Sequence, residues 1–253
     1  MTAQRALAAP TRDGTLGGRV ALVTGGGSGL GAATCRVLAM AGMAVVAGDI
    51  DARRAAATAS GLTADGGRAL GFELDVRDAA SADAAVTTAI DRFGRLDVLV
   101  NNAGTDVTAE FEAIPPDAWD RVLDVNLRGP VVMTRAALPA LRATGRGQIV
   151  NVTSTAALRA WPNASAYHAS KWGLLGFSHA LHTEARRYGV KVTAIIAGGM
   201  RTPFLIGRFP DLDPGLLQDP ATVAEAIRFV LSLPAESVVP QITVLPMGET
   251  SWP

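Results

Sequence analysis

The segment Thr24-Gly-Gly-Gly-Ser-Gly-Leu-Gly31 stands between a β-branched run, Val20-Ala-Leu-Val23, and a helical pattern from about Ser28 to Ala41. Glycines there permit a tight turn and close backbone approach. The N–H groups and positive dipole at the helix start attract phosphate oxygens. Strand before and helix after is the context a dinucleotide phosphate loop requires. The spacing Gly25-xxx-Gly29-x-Gly31 departs from the G-x-G-x-x-G form, and a purely structural tight turn is the competing reading.

A second run, Ala44-Val-Val-Ala47, completes a βαβ unit. The alternation continues through Ala69 to Leu74, a helix from Ser81 to Phe93, and the runs Val98–Val100, Gln148–Val152, Lys191–Ile196 and Gln241–Leu245. Strands separated by helices pair in parallel through right-handed crossovers, with helices on both faces. The expected fold is α/β, a doubly wound Rossmann-like parallel sheet of about seven strands in a single domain spanning 19–253. Long helices are expected over Pro116 to Ala143 and Ala166 to Tyr188. Residues 1–18 read as a flexible tail without a secretory pattern. The proline-punctuated stretch 203–220 reads as a long irregular substrate loop.

Composition narrows the partners. Formal net charge is zero and no basic run stands out, which leaves no electrostatic footprint for nucleic acid or an anionic membrane. No window approaches the length of an apolar span, so a cytoplasmic protein with a small-molecule partner is expected. The single Cys35 falls in the apolar helical stretch and reads as structural. His179 and His182 share a helix, but no carboxylate or cysteine completes a ligand set, so no metal is expected.

At the end of the second run stands Asp49, placed to accept both ribose hydroxyls of an adenosine and to repel a 2′-phosphate. Arg53 and Arg54 follow one turn later, so NAD is expected and NADP stays possible. A helix N-cap is an alternative role for Asp49.

Tyr167 and Lys171 lie four positions apart in Ala166-Tyr-His-Ala-Ser-Lys171, with Ser154 upstream in Val152-Thr-Ser-Thr. On a helix that spacing stacks both side chains on one face. The sequence holds only two Tyr and two Lys, so an accidental pair has an expected number of only ~0.02. An ammonium at roughly 4 Å is worth about 4 kcal/mol at an intermediate dielectric. That is about three pKa units, enough to bring a phenol toward neutral pH.

With the glycine loop, Asn101-Asn-Ala-Gly104, Ser154, Tyr167 and Lys171 in this order, the chain resembles the short-chain dehydrogenase/reductase family from about Val20 to Leu245. The resemblance implies an oxidoreductase acting on CH–OH groups with a nicotinamide dinucleotide, interconverting a secondary alcohol and a ketone. It makes Tyr167 the general acid/base, Lys171 its pKa modulator and a ribose ligand, and Ser154 the holder of the substrate oxygen. Asn126, in Asp124-Val-Asn-Leu-Arg128, supports a proton relay through water to the lysine. The implied cofactor ligands are Gly25, Ser28, Gly29, Leu30, Gly31, Asp49, Asp75, Val76, Asn102, Ala103, Gly104, Met200 and Thr202, with Tyr167 and Lys171. A homodimer or homotetramer built on the two long helices is also implied.

Two departures from the family pattern stand out. Ala197 replaces a usual proline, which should loosen the backbone before Met200, and the C-terminus lacks the frequent Asp-Gly-Gly element. Leu158, Trp161, Phe204–Ile206 and Phe209 are expected to wall an apolar substrate pocket, whereas Asp106 and Arg159 are expected to face solvent. The alternatives are a catalytically silent dinucleotide sensor or scaffold, or a non-redox lyase or dehalogenase on this fold. The first predicts damage to Ser, Tyr or Lys, and the second a degraded glycine loop and an altered lysine; all are intact.

Overall fold

The computed structural model describes residues 15–249, so most of the expected tail and the final four residues lie outside the described residues. The order is β1 (Val20–Thr24), α1 (Gly29–Met40), β2 (Ala44–Asp49), α2 (Ala52–Ala64), β3 (Arg68–Glu73), α3 (Ala79–Phe93) and β4 (Val98–Asn101). Then follow α4 (Pro116–Leu123), α5 (Gly129–Ala143), β5 (Gln148–Val152), α6 (Ser165–Ala185), β6 (Lys191–Ala197), α7 (Pro203–Ile206), α8 (Pro220–Ser232) and β7 (Gln241–Val244). The seven strands form one sheet in the order β3-β2-β1-β4-β5-β6-β7, and every pairing is parallel. The order reverses between β1 and β4. A crevice opens at such a switch point beyond the carboxyl ends of the strands.

Side chains alternate along each strand and feed two cores. Ala21 and Val23 face Leu38, Cys35 and Ile227 of α1 and α8, while Val20 and Leu22 face Ala85, Met133 and Leu181 of α3, α5 and α6. Cys35 is buried in the first core, and burial pushes its thiol up to about 12. Asn101 and Asn151, paired in register on β4 and β5, hydrogen-bond at 2.8 Å, and Asn151 donates on to Ser178 of α6 at 2.9 Å. That buried amide chain fixes α6 against the centre of the sheet.

Three local expectations need correction. Within the tail, Thr15 to Gly18 form a turn, with Leu16 buried in the first core and Gly18 N–H bonded to Gly42 O at 3.1 Å. The helix expected over 116–143 is interrupted by a π-helical turn at Asp124–Arg128. Its cause is local: Gly129 N–H reaches back to Asp124 O, and Pro130 has no N–H with which to bond Asn126 at the ordinary spacing. The stretch 203–220 is not wholly irregular. It holds α7, a single 3-10 turn at Pro214–Leu216, and a bridge from Met200 to Gln218.

Ala197 keeps its place in the ladder. It pairs in register with Val244, and Gly198 N–H donates to Val244 O at 2.9 Å. Among the described residues no helix is long and apolar enough to cross a membrane.

Candidate active site

A cavity of about 1010 Å³ occupies the crevice at the carboxyl ends of β1, β4 and β5. The glycine loop forms one side. Ser154, Tyr167 and Lys171 line another part, and Met200, Thr202 and Phe204 another.

The loop is shaped to admit a pyrophosphate. Gly25 and Gly29 hold φ of 64° and 51°, a left-handed region that glycine enters without penalty. A Cβ on Gly31 would lie 1.9 Å from Gly25 O, and one on Gly27 2.8 Å from Asp49 Oδ2. Ser28 precedes α1 without capping it through its side chain, which leaves the first-turn N–H groups directed at the cavity for an anion. Gly31 itself sits behind the lining, against Gly25.

Asp49 Oδ2 accepts from Gly27 N–H at 2.9 Å and Oδ1 from Asp51 N–H at 3.0 Å. One carboxylate thus fixes the loop and the turn after β2, and each oxygen keeps a lone pair for a ligand hydroxyl. The N-cap of α2 is Asp51 rather than Asp49. Asp75 and Val76 line the same cavity; Arg77 grips both Asp75 oxygens, at 2.7 to 3.2 Å, and holds its carboxyl below the ordinary value. Asn102 donates to Thr24 O at 2.9 Å while Thr24 Oγ1 accepts from Asn102 and Ala103 N–H at 3.0 and 2.9 Å. The end of β4 is thereby locked to the end of β1, with Ala103 and Gly104 at the cavity wall.

Ser154 follows β5, and Tyr167 and Lys171 occupy successive turns of α6. The side chain of Ser154 hydrogen-bonds Tyr167 and accepts from Ala156 N–H at 3.2 Å. The Lys171 ammonium donates to Val152 O at 3.0 Å and lies 5.5 Å from the centre of the Tyr167 ring.

Here the electrostatic expectation reverses sign. Tyr167 shows part of its ring to the cavity, yet its hydroxyl end is desolvated, and burial pushes the phenol up to about 12 in spite of the Ser154 hydrogen bond. Lys171 is buried too, and burial brings its ammonium down to about 8. Desolvation of the phenol leads, the charge of Asp106 adds to it, and the Ser154 hydrogen bond and the Arg208 charge oppose it.

Asn126 is fully buried in the π-helical turn and does not line the cavity. Its Oδ1 accepts from Thr105 N–H at 2.8 Å, and its Nδ2 donates to Thr105 O at 2.8 Å and Ser170 Oγ at 3.0 Å. The amide thereby holds the loop after Gly104 against α6. Met200 and Thr202 do line the cavity, and Thr202 precedes α7.

Of the expected apolar walls, Trp161, Phe204, Leu205 and Phe209 face the cavity. Leu158 instead packs against the small cluster of Ala157, Leu175 and Ala194. His168, next to Tyr167, accepts from Trp161 N–H through Nε2 at 3.1 Å, while its Nδ1 meets Ala156 O at 2.9 Å. This arrangement requires the proton on Nδ1, and it anchors the Trp161 wall, whose ring lies edge-on to the imidazole at 4.3 Å.

Several lining residues were not foreseen. Arg208 bridges the cavity mouth, donating to Asp106 O at 3.1 Å and Phe204 O at 2.9 Å. Gly248 and Glu249 bring the C-terminal segment to the lining, with Glu249 accepting from Gly199 N–H at 3.4 Å. No periodic or spacing signal in the sequence marks the long-range contacts among these, Arg208 to Asp106 and Glu249 to Gly199.

Residues 19–212 match the family model described as short chain dehydrogenase. The chain belongs to the short-chain dehydrogenase family. It is 44% identical over 187 residues to a putative ketoacyl reductase of the monensin polyketide synthase from Streptomyces virginiae, covering 73% of this chain and 72% of that one. Over 242 residues it is 38% identical to cis-4-hydroxycyclohexanecarboxylate dehydrogenase from Sinomonas cyclohexanicum, covering 92% and 97%. A 3-ketoacyl-(acyl-carrier-protein) reductase from Brucella melitensis, solved with NADH, superposes with a TM-score of 0.84 at 33% identity, covering 92% and 99%. As a short-chain dehydrogenase the chain is an oxidoreductase that uses a nicotinamide dinucleotide on an alcohol or carbonyl substrate.

Proposed function

We propose that the protein is an NAD-dependent dehydrogenase that interconverts a secondary alcohol and its ketone, with Tyr167 as the acid/base. The observation that carries this reading is the convergence of Ser154, Tyr167 and Lys171 on the cavity into which the glycine loop opens. Gly25, Ser28, Gly29 and Leu30 would cradle the pyrophosphate, with Gly31 packed behind them to keep the turn tight, and Asp49 would hold the adenosine ribose. Asp75, Val76, Asn102, Ala103 and Gly104 would line the adenine and ribose path, with Met200 and Thr202 at the nicotinamide end. The bound cofactor supplies the hydride acceptor or donor and, when oxidised, a positive charge.

Ser154 holds the substrate oxygen beside the Tyr167 hydroxyl by a hydrogen bond that strengthens as negative charge develops there. Tyr167 gives that oxygen a proton during reduction and takes one during oxidation. With burial pushing its phenol up to about 12, Tyr167 is protonated at neutral pH and ready to act as the acid. Acting as the base requires added positive charge in the cavity or alkaline solution. Asn126 acts as a positioning residue, since it holds Thr105 and Ser170 on either side of Lys171's cavity wall. The apolar walls exclude water from the reacting atoms.

NAD is favoured over NADP because Asp49 is buried at the end of β2, where it accepts ribose hydroxyls but repels a phosphate. Arg54 lines the cavity but is drawn to Asp51 at 3.4 Å. Assembly as a homodimer or homotetramer through the long helices fits exposed aromatic groups there, such as Trp172. The test is the near-ultraviolet absorbance of reduced nicotinamide with a panel of secondary alcohols and NAD. Turnover supports the reading; tight NAD binding with no reduction across the panel contradicts it.

A further inference from the structure

Asp106 lies in the loop that follows β4, on the wall of the cavity that also holds Tyr167. Its Oδ1 is buried and has no hydrogen-bond partner. Its Oδ2 has only a long contact, 3.4 Å, from Thr108 Oγ1, and the neighbouring Val107 amide adds weak support. The Arg208 guanidinium passes close by, yet the bonds it makes are to the carbonyl oxygens of Asp106 and Phe204, with its plane over the Phe204 ring at 4.1 Å. The carboxylate therefore stands in a desolvated wall with acceptor capacity unused. Such a group is costly unless a donor reaches it.

Its position matters for chemistry. Arg208, bonded to its carbonyl oxygen, stacks on Phe204, whose ring centre is 6.1 Å from that of Tyr167, so Asp106 borders the reacting centre rather than the adenosine end. The same cavity holds Trp161, Phe204 and Phe209, whose side chains offer no acceptor for a substrate's second functional group. The charges beside it constrain what that group is. The carboxylate repels an anion and the Arg208 guanidinium repels a cation, so a neutral donor fits best.

We propose that Asp106 determines specificity by accepting a hydrogen bond from a second hydroxyl of the substrate, so that the cavity prefers a hydroxylated secondary alcohol with an apolar body over its mono-hydroxyl analogue. This inference rests on the reading of the cavity as the alcohol site, and binding can test it apart from turnover.

Affinities of cyclohexanol and the cyclohexanediols are measured on the full chain saturated with NADH, where oxidation cannot proceed. A charge-assisted hydrogen bond predicts that at least one diol binds about tenfold tighter than cyclohexanol. Asp106→Ala erases that ratio, while the isosteric Asp106→Asn, which keeps a carbonyl acceptor, retains part of it. Equal binding of cyclohexanol and every diol overturns the proposal, as does a diol preference that survives in Asp106→Ala. Tighter binding of a hydroxycyclohexanecarboxylate than of any diol overturns it too. A diol preference without any NAD reduction upholds Asp106 and instead counts against the dehydrogenase reading.

Discussion

The Lys171 ammonium lies 5.5 Å from the centre of the Tyr167 ring, one helical turn along α6, and both groups are desolvated. Burial brings Lys171 from 10.5 down to about 8, so between these values the folded state binds fewer protons than the unfolded one. Stability then rises with pH across that window, and the cost of burying the cation, roughly 3 kcal/mol, is fully present below it. Tyr167 acts in the opposite sense, since its raised value makes stability fall from about 10 to about 12. Chemical denaturation of wild type and Lys171→Met at about pH 7 and about pH 10 separates the two. The wild type is expected to gain on the variant as pH rises; parallel curves contradict the burial of a charged lysine.

Asn126 predicts a stability loss without a change in the cavity lining. Asn126→Ala strands Thr105 N–H and C=O and one bond to Ser170, which should cost at least about 2 kcal/mol. Thermal unfolding checks this. A variant as stable as wild type shows that Thr105 finds other partners.

Glycines 31 and 61 make a matched pair. Gly31→Ala places a methyl 1.9 Å from Gly25 O and should collapse dinucleotide affinity, whereas Gly61, in α2, has nothing within 4 Å of the added carbon. Gly61→Ala should therefore stabilise by about 0.5–1 kcal/mol through helix propensity. Titration of dinucleotide fluorescence reads the first and thermal unfolding the second.

Asp49 couples cofactor choice to loop order. Asp49→Ser removes the carboxylate that Gly27 and Asp51 donate to and the repulsion of a 2′-phosphate. NAD affinity should fall by about tenfold while the NAD-to-NADP ratio of kcat/KM moves toward NADP. An unchanged ratio contradicts the assignment of Asp49 to the ribose.

What could be read along the chain was local and periodic. The glycine loop, the strand runs and the Tyr167–Lys171 spacing each carry their signal within one turn or one strand, and the parallel α/β sheet follows from their alternation. The π-helical turn was hidden because helical periodicity continues through Asn126, and only Pro130's missing N–H marks the register change. Asp106 read as solvent-facing because its neighbour Arg208 is about a hundred residues away. The sign of the Tyr167 shift was missed for a related reason. Spacing reveals the neighbouring charge, but desolvation depends on the whole packed surround.

The central claim, that Tyr167 handles the proton of a nicotinamide-linked alcohol oxidation, is tested most directly by comparing wild type with Tyr167→Phe in steady-state NADH formation while NAD binding is titrated in parallel. Removing only the hydroxyl should lower kcat/KM by about a thousandfold or more and leave NAD affinity within about threefold. Wild-type oxidation should also climb as pH rises from neutral toward the phenol's range. Near-normal turnover by the phenylalanine variant would contradict the account.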